Sequence, residues 1–115
     1  MLYQGSCHCG RIAFTVEGDF TSGMECNCSM CRRKGSVLAF VPRDKLKLST
    51  PESDYETYFF NKHVIAHHFC PVCGCAPFAD GQMPDGTKMA AVNLRCVPDV
   101  DLSKVKITHF DGASK

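Results

Sequence analysis

Residues 11–17, Arg11-Ile12-Ala13-Phe14-Thr15-Val16-Glu17, alternate apolar and polar, with Ile12, Phe14 and Val16 on one face and a Gly18-Asp19 turn behind them. Period-two alternation bounded by turn residues predicts a half-buried strand. Val37-Leu38-Ala39-Phe40-Val41 is a continuous apolar run stopped by Pro42. It is too short for a helix, and residues preceding proline avoid helical backbone, so a buried strand is expected. Residues 46–48, 55–60 and 64–70 carry strand periodicity and β-forming side chains. Pro84-Asp85-Gly86 reads as a turn before a strand over 89–94, and Ile107-Thr108-His109-Phe110 as a last strand. The one helical turn expected lies within 29–34, closed by Gly35 as C-cap. Short strands between turns, with little helical period, predict one mainly-β domain over residues 1–115.

Composition narrows the partners. A 115-residue chain has room for one ordinary core, and 44% apolar residues belong to a folded protein. Thirteen basic and twelve acidic residues leave a net charge of +1, which gives no electrostatic case for nucleic acid or a membrane surface. Met1-Leu2-Tyr3-Gln4-Gly5-Ser6-Cys7 has neither the charged nor the apolar region of a signal peptide. No apolar run approaches the roughly 18 residues of a membrane-spanning helix. The expected compartment is cytoplasmic.

Nine cysteines change the picture, because thiols in that compartment are kept reduced. Seven of them fall in three clusters: Cys7 and Cys9, then Cys26, Cys28 and Cys31, then Cys70 and Cys73. Neighbours so close bridge each other poorly but share a metal readily. The central triplet is followed at once by Arg32, Arg33 and Lys34. Cations favour the thiolate, which is the form that binds metal. Three sulfurs without a fourth ligand describe an open site; four close a structural one. Each outer pair is followed by glycine, Gly10 or Gly74, which tolerates positive φ and lets amides approach the sulfurs. Two plus two makes a Cys₄ site, but the first pair can equally complete the triplet, and spacing does not decide. Arg32, Arg33 and Lys34 suit either a charge-offsetting or carboxylate-binding role, or simply a solvated basic turn.

Gly5-Ser6-Cys7-His8-Cys9-Gly10, Cys26-Asn27-Cys28-Ser29-Met30-Cys31-Arg32-Arg33-Lys34-Gly35, Phe69-Cys70-Pro71-Val72-Cys73-Gly74 and the ending His109-Phe110-Asp111-Gly112 closely resemble the glutathione-dependent formaldehyde-activating enzyme family. The resemblance covers nearly the whole chain. It implies a β-tent fold, shared with methionine sulfoxide reductase B and a zinc-binding guanine-nucleotide-exchange chaperone. It also implies two zinc ions per chain: a structural one on Cys7, Cys9, Cys70 and Cys73, and an open one on catalytic Cys26, Cys28 and Cys31. Glutathione, or a glutathione adduct, is the implied partner, with Arg32 and Arg33 as its binding residues. The implied activity is that of a carbon–sulfur lyase joining the glutathione thiol to formaldehyde, like S-(hydroxymethyl)glutathione synthase. The alternative is a non-catalytic zinc module that carries glutathione or binds a protein, since centromere protein V resembles the family too. A reductase working through Cys96 is a third reading.

Cys75 stands where the family commonly has a small hydroxyl residue; it and Cys96 are expected to be buried, inert thiols. His63, His67 and His68 precede Cys70, and alternation puts His68 on the side of Cys70. Histidines so placed are ordinarily surface or hydrogen-bonded residues. His8 is expected to point away from its cluster. Phe40 and Tyr58-Phe59-Phe60 are core candidates first and substrate walls second.

Overall fold

The computed structural model describes residues 1–59 and 65–114. Strands β1 (Leu2–Ser6), β2 (Ala13–Glu17) and β5 (Leu46–Leu48) form a three-stranded antiparallel sheet in the order β1-β2-β5. β3 (Ser22–Cys26), β4 (Leu38–Pro42), β6 (Glu56–Phe59), β7 (Ala66–Phe69), β8 (Phe78–Gln82), β9 (Lys88–Asn93) and β10 (Lys106–Phe110) form the other, ordered β10-β3-β4-β9-β8-β7-β6. The protein is mainly β, as the patterning predicts. Among the described residues no helix is long and apolar enough to cross a membrane.

The alternation of β2 becomes one wall of the core. Phe14 and Val16 are buried together with Ile12, which just precedes the strand. Gly5 pairs with Phe14 across β1 and β2, and a side chain on Gly5 would collide with the Phe14 ring. From the other sheet come Val41, Phe78, Ala90 and Val92, with the Phe14 and Phe78 rings 6.0 Å apart.

The apolar run in β4 is not buried on both faces. Ala39 and Val41 enter the core, whereas Phe40 is 53% exposed. The second face of this central strand, with Leu38 and Phe40, lines a cavity. Tyr58 and Phe59 are also exposed and do not belong to the core; Phe60, His63 and Val64 lie outside the described residues.

His68 ties three strands together. Its Nδ1 lies 2.8 Å from Thr57 Oγ1 on β6 and its Nε2 lies 2.7 Å from Asp80 Oδ2 on β8. Arg43 Nε forms an ion pair with Asp80 Oδ1 at 2.7 Å, and the buried imidazole packs at a tilt against both Tyr55 and Phe78, with centroids 4.2 and 4.8 Å away. His68 is thus a hydrogen-bonded core residue, outside both cysteine clusters.

Burial opposes ionisation of Asp80, but the His68 hydrogen bond and the Arg43 charge outweigh it and hold the carboxyl below its ordinary 3.8. A depressed folded-state pKa gives stability that is complete above the unfolded value and lost as pH falls through the folded one. Asp80→Asn is therefore expected to cost about 2 kcal/mol near pH 7. The gap to wild type should narrow as pH drops below 3.8. Denaturant unfolding across pH checks this; a gap that is unchanged in acid removes the charged role of Asp80.

Candidate metal centres and their cavity

The outer cysteine pairs sit on matching loops. Cys7 follows β1, and its sulfur accepts the Ile12 amide at 3.3 Å. Cys70 follows β7, and its sulfur accepts the amides of Val72 and Cys73, each at 3.4 Å. Gly10 and Gly74 adopt φ of 84° and 80°, a left-handed turn that a side chain would strain. Amides aimed at sulfur favour the thiolate. For Cys73 the amides of Cys75 and Cys9 are the leading causes, bringing it down to about 5.

The structure brings Cys7 and Cys9 together with Cys70 and Cys73, not with the triplet; their four sulfurs lie within 4.8 Å of one another. Cys7 and Cys9 are 3.8 Å apart, and Cys9 and Cys70 3.5 Å. A tetrahedral zinc with bonds of about 2.3 Å to sulfur has sulfur–sulfur edges of about 3.8 Å. The two separations of 3.8 and 3.5 Å are close to that edge, so the four cysteines suit such an ion.

The sulfurs of Cys26, Cys28 and Cys31 likewise lie within 4.8 Å of one another, and no other histidine, cysteine or acid among the described residues joins them. Cys26 ends β3, and Cys31 opens the single-turn helix α1 (Cys31–Lys34), whose Gly35 amide closes on the Cys31 carbonyl. The Cys31 amide donates to Cys28 Sγ at 3.3 Å. Burial pushes Cys31 up to about 12, reinforced by Cys28 and Cys26. At Cys28 burial acts the same way and is the largest single cause, but the hydrogen bonds from the Cys31 amide, the Cys31 and Cys26 side chains and the Met30 backbone together outweigh it, so this thiol is lowered. The trio shares negative charge poorly unless a cation lies among the sulfurs.

The C-terminal segment clamps this loop. β10 runs parallel to β3, pairing Phe110 with Cys26. The Asn27 amide donates to the Phe110 carbonyl at 3.1 Å, its Nδ2 donates to Asp111 at 3.0 Å, and its Oδ1 accepts the Ala113 amide at 2.9 Å. Gly112 packs so close to Cys26 Sγ that a side chain there would collide with it.

The triplet opens on a cavity of about 490 Å³. Met24, Met30, Leu38, Phe40, Ala79, Ala91 and Phe110 supply its apolar walls, and Lys34, Ser36, His67 and Asn93 its polar groups. Of the three basic residues, Lys34 is the one that lines this cavity, and burial lowers its pKa against the pull of Cys31. Arg33 donates to the Ser29 carbonyl at 2.6 Å, and Arg32 lines a separate hollow with His109 and Asp111. His67, not singled out from its neighbours by sequence, is brought down to about 4 by burial and then by Lys34, so it is neutral at pH 7. Strand alternation does distinguish it: it faces opposite to His68. Cys96 is partly buried and pushed up to about 11 by that burial, which keeps it a thiol; Cys75 packs partly buried against the core, and His8 is exposed.

The described residues form a β domain with one four-cysteine cluster and one three-cysteine cluster opening on a cavity, each of which could hold a metal ion through thiolates. The chain belongs to the glutathione-dependent formaldehyde-activating enzyme family, whose model matches residues 2–110. A Rhodobacter sphaeroides protein, solved crystallographically as a structural-genomics target, has the same fold. Its TM-score is 0.77 at 28% identity, over 91% of this chain and 99% of that one.

Cys70→Ser is expected to lose one metal ion per chain and to lower Tm by more than about 10 °C, because it opens a site that contributes folding energy. Cys28→Ser should leave Tm within a few degrees and remove the other ion. Metal analysis of reduced protein with calorimetric melting checks both. A Cys28→Ser variant that fails to fold would exchange the two roles.

Proposed function

We propose that this protein is a zinc-dependent, glutathione-linked carbon–sulfur lyase of the S-(hydroxymethyl)glutathione synthase type. On this reading Cys7, Cys9, Cys70 and Cys73 hold a structural zinc, and Cys26, Cys28 and Cys31 an open catalytic one. The observation that carries it is the three-cysteine cluster at a cavity wall, with no fourth protein ligand among the described residues. Family membership supports glutathione as the thiol.

A zinc ion there supplies an open coordination position that lowers the pKa of a thiol at neutral pH. The chain's own residues do the rest. The Cys31 amide fixes Cys28, and the β10 clamp fixes Cys26, so the ligands are preorganised. Lys34 offers its ammonium to a glutathione carboxylate, and Arg32 and Arg33 on the outer side of α1 offer a second contact. Neutral His67 lies in the same cavity, placed to take the thiol proton and pass it to the oxygen of an aldehyde. In the forward direction the glutathione sulfur bonds to the carbonyl carbon, the carbonyl π pair moves to oxygen, and that oxygen takes a proton. The reverse breaks the carbon–sulfur bond. Apolar walls keep water from the reacting atoms.

Formaldehyde and glutathione combine without a catalyst, so the measurement is acceleration above that background, followed by NMR exchange at equilibrium. Saturable acceleration is expected, reduced at least about 100-fold in Cys28→Ser. Lys34→Met should raise KM for glutathione about tenfold while leaving kcat within a few-fold, as for an interaction made in both ground and transition states. Glutathione binding without acceleration would leave a carrier module in place of an enzyme.

A further inference from the structure

We infer that the adduct taken by this cavity carries a bulky apolar group, aryl or medium-chain alkyl, on the carbon bonded to the glutathione sulfur. The inference rests on the open-site reading above and names its substrate class.

Size is the first argument. A hydroxymethyl group has two heavy atoms, each displacing roughly the 30 Å³ of one water. Beside a cavity of about 490 Å³, the formaldehyde adduct leaves most of the space to something else.

That space does not suit the glutathione backbone, which carries two carboxylates, an ammonium and two amides. Burying such groups without partners is costly. Among the described lining residues none is acidic, so the ammonium has no counter-charge, and Lys34 is the single cation. Asn93 is already committed: its Nδ2 donates to the Ala76 carbonyl at 3.1 Å, and its Oδ1 accepts the amides of Arg95 and Val37 at 3.1 and 3.4 Å. The polar groups left over are few. Lys34, Ser36 and His67 are the polar side chains that remain among the described lining residues.

The remaining walls come from the sheet. Leu38 and Phe40 project from β4, Met24 from β3, Ala79 from β8, Ala91 from β9 and Phe110 from β10, and Phe40 and Ile65 stand 53% and 44% exposed. The peptide part of glutathione is therefore placed outward, along the basic turn of Arg32 and Arg33. Its sulfur reaches the triplet, and the substituent lies on the apolar wall. The chemistry is unchanged for such a substrate: sulfur bonds to the aldehyde carbon, the π pair goes to oxygen with a proton, and no oxidant or reductant is involved.

The test is calorimetric binding of S-hexylglutathione and S-methylglutathione to the zinc-loaded protein, run beside the formaldehyde exchange assay. The hexyl compound is expected to bind at least about tenfold more tightly, a conservative figure for five added methylenes in an apolar pocket. Phe40→Ser, a change at an exposed position, should shrink that ratio. Equal affinities, or a preference undiminished in Phe40→Ser, overturn the inference. If formaldehyde exchange is accelerated in that case, the lyase reading stands without it. A hexyl preference with no aldehyde exchange supports the ligand class and removes the lyase reading.

Discussion

The convergence of four sulfurs from Cys7, Cys9, Cys70 and Cys73 is the constraint on which the rest of this fold depends. Two like charges about 4 Å apart repel by about 4 kcal/mol at the effective dielectric of a protein surface. Thiolates at the 3.5 and 3.8 Å separations seen here therefore call for a cation between them. The cluster joins the end of β1, in the three-stranded sheet, to the end of β7, in the seven-stranded one. Cys7 and Cys70 are themselves buried in the same core as Ile12, Phe14 and Phe78. The four-cysteine cluster is thus continuous with the apolar core, and a metal ion held there would brace the two sheets against each other.

The second cluster uses the same ligand chemistry to a different end. Its three sulfurs are all half-buried, whereas in the first cluster two are fully buried. Where the four-cysteine loops are closed by their own amides, the triplet loop borrows its rigidity from elsewhere. Asn27 is held by the segment after β10, and Arg95 donates to the Gly35 carbonyl at 2.9 Å, satisfying the end of α1. A helix of one turn has almost no intrinsic stability. Its position is set by these neighbours and by the ligands that flank it.

Much of this was legible in the chain. The alternation around Phe14 and Val16 gave β2 directly, and the cysteine spacings gave both cluster memberships except for the partner of the first pair. That partner is a long-range choice made by sheet topology, which spacing does not encode. β1, β3 and β8 escaped the pattern because Leu-Tyr-Gln-Gly-Ser, Ser-Gly-Met-Glu-Cys and Phe-Ala-Asp-Gly-Gln carry glycines and polar residues where a strand period would show. Their pairing is tertiary, the usual way context overrides β-propensity. Phe40 misled for a related reason: a run apolar on both faces reads the same whether the second face meets a core or a cavity. Nor does a basic triplet on one helical turn reveal which of Arg32, Arg33 and Lys34 turns inward, since that depends on where the turn docks.

The placement of the cavity follows from that docking. β4 is an interior strand of its sheet, paired along its length with β9 and, at Leu38, with Met24 of β3. Side chains projecting from such a strand keep their positions better than those on loops. Cys26 lies at the end of β3 and Cys31 on α1, next to this wall, so a sulfur bound at the triplet would meet an apolar surface on one side and Lys34 on another. In low-dielectric surroundings the interaction of that ammonium with a carboxylate is stronger than in water. The same walls that strengthen it offer a polar ligand no other partners. Charge therefore governs where the peptide end can lie, and apolar area governs what can follow the sulfur inside.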